Sequence, residues 1–261
     1  MEIYINSRGK KQNQDYHWRH ISRQGERPAS EPDIIREYSK CIDREDFSLV
    51  LASSKQKLFL LITGLEPENS RIDIKRRIIS NSLALIANWS DEERFRLIAA
   101  SALQGELAQK LEDTIEFDSE EGFQVKFTYK ELLEKITPTF KAGGSPPKKA
   151  ENTIQFLSDE NKIKLSEELE NYRFPRKEGL LVIVARSTPE SVLRKKEVWR
   201  GLTCNIETSQ LATSNNRREN SSIREAIFRI INSQRIVTSL IFLLLGLLLW
   251  GGVKSFFFLI M

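Results

Sequence analysis

The run Ile236 to Val253, IVTSLIFLLLGLLLWGGV, carries no charged residue over eighteen positions. At about 1.5 Å of rise per residue a helix of that length is roughly 27 Å long, close to the ~30 Å hydrocarbon thickness of a bilayer. Twelve of its positions are Leu, Ile, Val or Phe, and at about −0.3 to −0.6 kcal/mol each they favour insertion by roughly 5 kcal/mol. Core helices of globular proteins seldom lack every charge over so long a stretch. The run therefore reads as a transmembrane helix over 236–256, with Ile236, Leu240, Leu244, Leu248 and Val253 in the span. Trp250 suits the interface as an aromatic, and Lys254 can lay its stem on apolar surface while its ammonium reaches the headgroups, so the far end of the span lies between Val253 and Met261.

Orientation follows from the flanks. Arg217, Arg218, Arg224, Arg229 and Arg235 precede the run and Lys254 alone follows it; basic residues near a span mark its cytoplasmic side. The opening MEIYINSRGKKQNQ has no apolar signal-peptide core. So little chain follows the span that the expected arrangement is single-pass and tail-anchored, with the N-terminal domain in the cytoplasm. Ile223, Ile227, Ile230 and Ile231 recur at helical spacing, which predicts a juxtamembrane amphipathic helix over 223–235 whose Arg224, Arg229 and Arg235 favour anionic lipid at the membrane interface. Before it, 207–222 is rich in Ser, Thr and Asn and reads as a flexible tether.

About two hundred residues remain, enough for one domain with a smaller satellite. Forty Lys and Arg stand against 36 Asp and Glu, a net charge of +4, too balanced to single out an acidic partner. Two cysteines, Cys41 and Cys204, exclude a disulfide framework and a four-cysteine zinc site.

Periodicity divides the chain as follows. Ile3 and Ile5, then Tyr16, Trp18 and His20, alternate as a hairpin of two strands, followed by a loop with Gly25, Pro28 and Pro32. Ile34, Ile35, Tyr38 and Cys41 predict a short amphipathic helix. Phe47–Ala52 and Leu58–Thr63 read as paired core strands around a five-residue polar connector, and Ile78–Ala87 as a strand. Ser90 and Glu93 have capping-box spacing ahead of a helix with Phe95, Ile98, Ala99, Ala102 and Leu103 on one face. Further helices are expected over Glu106–Ile115, Tyr129–Ile136, Asp159–Asn171 with Ser158 as its cap, and after Ser187. Strands are expected over Phe123–Phe127 and Leu180–Ala185. The stretch PTFKAGGSPPKKAEN, 138–152, has linker composition. The domain reading is thus a main α+β domain over 1–137, a linker, and a small α/β extension over 153–206 that packs on it and lends it a strand, because so short a unit buries too little core alone. The fold class is an α+β cytoplasmic domain, a mixed sheet with several short helices, followed by one transmembrane helix.

Chemistry is sparse. His17 and His20, three apart on a strand, point to opposite faces, and no Cys or second acidic group stands at ligand spacing, so they read as ordinary histidines. Glu116, Asp118 and Glu120 before Gly122 fit neither register of a calcium loop. Gly143 and Gly144 with Lys148 and Lys149 lack the phosphate-loop spacing. Basic clusters at Arg8, Lys10 and Lys11, at Arg173, Arg176 and Lys177, and at Arg194, Lys195 and Lys196 are interleaved with glutamates and read as solvated faces rather than a nucleic-acid surface. Ser239 and Gly246 share a face of the span without a G-x-x-x-G motif, which leaves homo-oligomerisation open. No cofactor is implied. The expected role is non-enzymatic: a membrane-anchored adaptor whose cytoplasmic domain recruits or senses a protein partner, with the lipid bilayer as its other contact. The alternatives are a membrane-tethered enzyme with a site assembled from distant residues, or a membrane-perturbing effector acting through oligomerised tails.

Overall fold

The structure, a computed structural model, describes residues 1–11, 13–43, 46–67, 71–73, 75–117, 122–139, 142–146 and 151–207. The expected juxtamembrane helix, the transmembrane span and the tether beyond Glu207 lie outside the described residues. Among those described, no helix is long and apolar enough to cross a membrane.

Among the described residues, eleven strands and six α-helices follow one another. An antiparallel meander comes first. β1 (Glu2–Ser7) pairs with β2 (His17–Ser22), and β2 with β3 (Gly25–Ala29). β4 (Ser48–Ser54), β5 (Lys57–Leu65) and β6 (Asn81–Asn88) pair in sequence, and β6 closes on β1 with Ile3 opposite Leu85. β3 occupies the stretch expected to be a loop. Pro28 argued against a strand there, but β3 ends the sheet, and an edge strand tolerates the missing N–H. The second half is parallel: β9 (Thr153–Phe156), β10 (Gly179–Val184) and β11 (Arg200–Thr203). β10 pairs antiparallel with β4, so nine strands form one mixed sheet in the order β3-β2-β1-β6-β5-β4-β10-β11-β9. β7 (Ile115–Phe117) and β8 (Phe123–Val125) form a separate hairpin, ending short of the expected Phe127.

Alternation along the strands sends side chains to two faces. Ile3, Ile5, Leu49, Leu51, Leu58, Leu60, Leu83 and Leu85 face one cluster, and four helices cover them: α2 (Glu92–Leu103), α3 (Glu106–Glu112), α4 (Tyr129–Ile136) and α5 (Asp159–Asn171). Val50, Ala52, Leu61, Ala84 and Ile183 face the other, which has only two six-residue helices, α1 (Asp33–Tyr38) and α6 (Glu190–Lys195). Residues Met1–Glu207 make one compact unit.

Three caps differ from expectation. Ser90 does not open α2; Trp89–Asp91 form a single 3-10 turn and the helix begins at Glu92. Ser187 does not cap α6, whose N-cap is Pro189; the Ser187 amide and hydroxyl are both donated to the Asp43 carboxylate instead. Thr128 and Glu131 supply a capping box for α4 that the sequence reading passed over. Ser158 caps α5 as expected, accepting from the Asn161 amide at 3.2 Å.

Part of the expected linker is held firmly. The Gly143 amide donates to the Glu170 carbonyl, the Arg173 amide to the Ser145 carbonyl at 2.8 Å, and a Cβ on Gly143 would fall 2.5 Å from the Asn171 carbonyl oxygen. Arg96 from α2 explains the approach. Buried, it donates to the carbonyls of Leu169 at 2.8 Å and Glu170 at the end of α5, and to that of Gly143 at 2.9 Å, while its Nε lies 2.9 Å from Glu92. One guanidinium thus satisfies carbonyls that helix geometry leaves without intrahelical partners.

Two stability predictions follow from this arrangement. Arg96→Leu takes the cation from Glu92 and a donor from the Leu169, Glu170 and Gly143 carbonyls, and is expected to lower unfolding free energy by about 3 kcal/mol in a denaturant titration. The β4–β5 turn offers the opposite change. Lys55 and Gln56, its two central residues, have φ of 47° and 67°, the left-handed pair that Asn-Gly adopts with least strain. Lys55→Asn with Gln56→Gly is expected to stabilise by roughly 1 kcal/mol, seen as a melting temperature about 2–4 °C higher.

Candidate functional site

Uneven cover on the two faces of the sheet creates the site. α1 lies over β4, β5 and β6, where Ile35, Val50, Leu61 and Ala84 meet. Beyond it, over β1, β2 and the start of β6, no helix among the described residues covers the sheet, and a groove of about 640 Å³ opens. That volume lies within the range of small-molecule sites, about 300–1,000 Å³. Its floor comes from residues whose alternation points them to this face: Asn6 on β1, Trp18 on β2, Leu61 and Thr63 on β5, and Ser82 on β6. Ile35, Ser39, Ile42, Tyr16, Arg77, Ile78, Ser80, Glu31 and Glu66 complete its lining.

Arg8 also lines the groove, only 5% exposed. Its Nη1 lies 3.3 Å from Asp73, whose side chain is 1% exposed, and its guanidinium sits 5.7 Å from the Tyr16 ring centroid. Asp73 organises a tight loop. One carboxylate oxygen accepts from the amides of Lys75 and Arg77 at 2.8 and 2.9 Å, and the other accepts from the Arg77 guanidinium at 2.8 Å. Ile72 and Ile78 pair as a β-bridge around this turn, and both are exposed. The Arg77 amide, first among several causes, holds the Asp73 carboxyl below the usual carboxylate range; burial opposes it, and the Arg77 side chain and Lys75 amide add to it. One carboxylate thus serves two guanidiniums, leaving a net charge of +1 among the three groups.

Several polar side chains here are unspent. Thr63 donates to the Asp43 carbonyl at 2.9 Å and Ser39 to that of Arg36 at 3.0 Å. Asn6, Ser80 and Ser82, all half-buried, make no side-chain hydrogen bond among the described residues. Asn6 and Ser82 face each other across the β1–β6 ladder. Behind the sheet, Ser7 and Asn81, their chain neighbours, are engaged: Ser7 donates to Asn81 at 2.6 Å, and Asn81 to Glu112 at 2.8 Å, whose carboxylate also pairs with Arg71. Ser7, Asn81, Glu112 and Arg71 thus form a chain of bonds behind the sheet, whereas Asn6, Ser80 and Ser82 on the groove side have no such bond among the described residues.

The residues singled out in sequence fall elsewhere. His17 and His20 do point to opposite faces. His17 lies against Phe123, ring centroids 4.6 Å apart, and His20 stacks on Tyr4 at 4.6 Å with Arg27 beside it. Burial, then the Arg27 charge, pushes the His20 pKa down, and burial with the Glu2 hydrogen bond pushes the Tyr4 hydroxyl up to about 12. Neither histidine lines the groove. Glu116 is on β7, while Asp118, Glu120, Lys148 and Lys149 lie outside the described residues. So do Ile236, Leu240, Leu244, Leu248 and Val253, and with them Arg224, Arg229, Arg235, Trp250 and Lys254. Arg176 lies over the Trp89 ring at 4.2 Å, Arg194 pairs with Glu190, and Arg8 is in the groove. Cys41 is buried and Cys204 exposed. Among the described residues no three His, Cys, Asp or Glu side chains converge as a metal site. The sequence reading missed the groove; a signal for it was Ser80 and Ser82 alternating at the start of a strand otherwise rich in apolar residues.

No family model, no curated protein and no solved structure matches the chain.

The Asp73 loop should respond to acid. Its folded carboxyl is held below the unfolded value of about 3.9, so its contribution is complete above that value and lost as pH falls through the folded one. The melting temperature of Asp73→Asn is expected to lie below that of the parent at neutral pH, and the gap to close as pH falls below about 4.

Proposed function

We propose that the chain is a single-pass membrane protein whose N-terminal α+β domain faces the cytoplasm and recruits or senses a partner there, as a non-enzymatic adaptor. The observation that carries the reading is the uncharged run 236–253 with five arginines on its N-terminal flank and Lys254 on the other. Within the described domain, the groove supports a binding role over a catalytic one. It offers hydroxyls, an amide, guanidiniums and the Glu31 and Glu66 carboxylates, and among the described residues no histidine or cysteine stands beside a hydroxyl to activate it. A domain bounded at Glu207 is joined to the run by a polar stretch of Ser, Thr and Asn, which suits a recognition module held near a bilayer.

Fractionation tests it. The full chain is expected to remain with membranes through an alkaline carbonate wash, whereas a chain ending at Glu207 is released. Protease added outside intact cells is expected to leave the N-terminal domain uncut. Release of the full chain by carbonate, or digestion of the domain in intact cells, overturns the reading.

A further inference from the structure

We infer that His20 is an acid-sensitive latch for β3: as a neutral imidazole it holds this edge strand on the sheet, and on taking a second proton it lets the strand go. The inference does not depend on whether the run 236–253 crosses a membrane.

β3 is lightly held. It ends the sheet beside β2, most of its residues are exposed, and Pro28 gives it one amide fewer for the ladder. Side chains therefore carry much of its attachment. On one face Glu26 meets Arg19 at 3.2 Å and accepts from the Val125 amide of β8 at 3.0 Å. On the other, Tyr4, His20 and Arg27 stand in one row across β1, β2 and β3. The His20 ring stacks on Tyr4, with centroids 4.6 Å and planes 17° apart, and Arg27 Nε lies 3.3 Å from His20 Nδ1.

That contact fixes the state of the imidazole. A guanidinium N–H only donates, so Nδ1 accepts through its lone pair, and His20 is neutral with its proton on Nε2. A second proton has to go to Nδ1. There it turns the acceptor into a donor facing the Arg27 N–H, and it sets two cations 3.3 Å apart on a side chain that is 8% exposed. Nε2 gives no relief, being buried with no acceptor among the described residues. The charged groups facing the ring come from the flanking strands. Arg27 on β3 opposes an imidazolium, and Glu2 on β1, which accepts from the Tyr4 hydroxyl at 2.8 Å, favours one. Trp18 and Ser22, on the same face of β2, are uncharged, and Arg19 points to the other face. Burial and Arg27 outweigh Glu2, so His20 titrates below its ordinary value of about 6.5 while β3 is attached. Once the strand is released, the ring meets water and recovers that value. The released form binds the proton more tightly, so the attached form loses stability as pH falls below about 6.5. This window lies above the one in which carboxylates such as Asp73 protonate.

Hydrogen exchange of the full-length protein in detergent, with rates corrected for the intrinsic effect of pH, tests the latch. Between about pH 7.5 and about pH 5, protection of the Gly25–Ala29 amides is expected to fall at least about threefold relative to β4 and β5, and the Val125 amide to follow. His20→Asn keeps an acceptor where Nδ1 stands but takes up no charge, and in it the fall is expected to vanish. His17→Asn, which removes the chain's other histidine, is expected to retain it. Loss of the ring weakens β3 at every pH, so the readout is the pH dependence and not the level of protection. A second measurement leaves His20 in place: its imidazole resonance is expected to titrate below about 6.5 in the parent and higher in Arg27→Gln, where the opposing charge is gone. β3 protection that does not change with pH overturns the inference. So does a pH dependence that survives His20→Asn, or a His20 that titrates above about 6.5.

Discussion

Pairing of β10 with β4 is the contact on which the two halves of this domain depend. Both strands lie deep in the sheet with apolar side chains on either face: Leu49 and Leu51 towards the four-helix side, Val50 and Ala52 towards α1. That double burial explains why they read as continuous apolar runs instead of alternating ones. A bulge between Leu180 and Val182 turns two successive residues, Leu181 and Val182, to the same side, where the larger core has room for both. Without the seam, the parallel unit β9-α5-β10-α6-β11 would span some fifty residues, too few to bury a core of its own. Arg96 reinforces the seam from above. It carries a charge from α2, in the first half, to carbonyls in the last turn of α5, in the second, and three carbonyl bonds with the Glu92 ion pair offset its burial there.

Much of the fold was legible in the sequence because most elements obey one period. β1, β4, β5, β6, α1, α2, α4, α5 and β10 all lie where apolar spacing put them. The misses have separate physical causes. β3 contains Pro28, which is unacceptable in a central strand and harmless at an edge. β11 begins with Arg200, a residue that argues against a buried strand until its partner is known. Glu168 on α5 takes its guanidinium through two hydrogen bonds, at 2.9 and 2.6 Å, and the Glu151 carbonyl takes a third. β9 is four residues long and half polar, too short for alternation to stand out. The polar connector between β4 and β5 looked five residues long because Ser53, Ser54 and Lys57 are polar; the ladder runs through them to leave two.

The groove was nearly illegible for a different reason. Its residues come from positions 6 to 82 and are brought together only by the strand order, in which β1 enters beside β6 and across from β5. No short motif marks such a site, because each strand contributes one or two side chains at alternate positions. What the sequence does carry is a set of local anomalies: Asn6 and Ser82 at inward-pointing positions, and a buried Arg8 directly after a strand end. On the covered face such anomalies are resolved within the protein, as Ser7, Asn81, Glu112 and Arg71 do for one another. On the open face they are not, and the asymmetry follows from helix length. Four helices of seven to thirteen residues shield one side, and two of six residues shield the other.

Asp73 links that asymmetry to the shape of the groove's wall. A loop connecting two strands would ordinarily be held by its own backbone, yet among the described residues of 71–79 the backbone bonds are the two that form the Ile72–Ile78 bridge and one more, from the Arg76 amide to the Asp73 carbonyl. The carboxylate supplies what the backbone lacks, accepting from two amides and from Arg77 while facing Arg8. Its position therefore sets where both guanidiniums stand. Any anion that settles between Arg8 and Arg77 competes with Asp73 for the same donors.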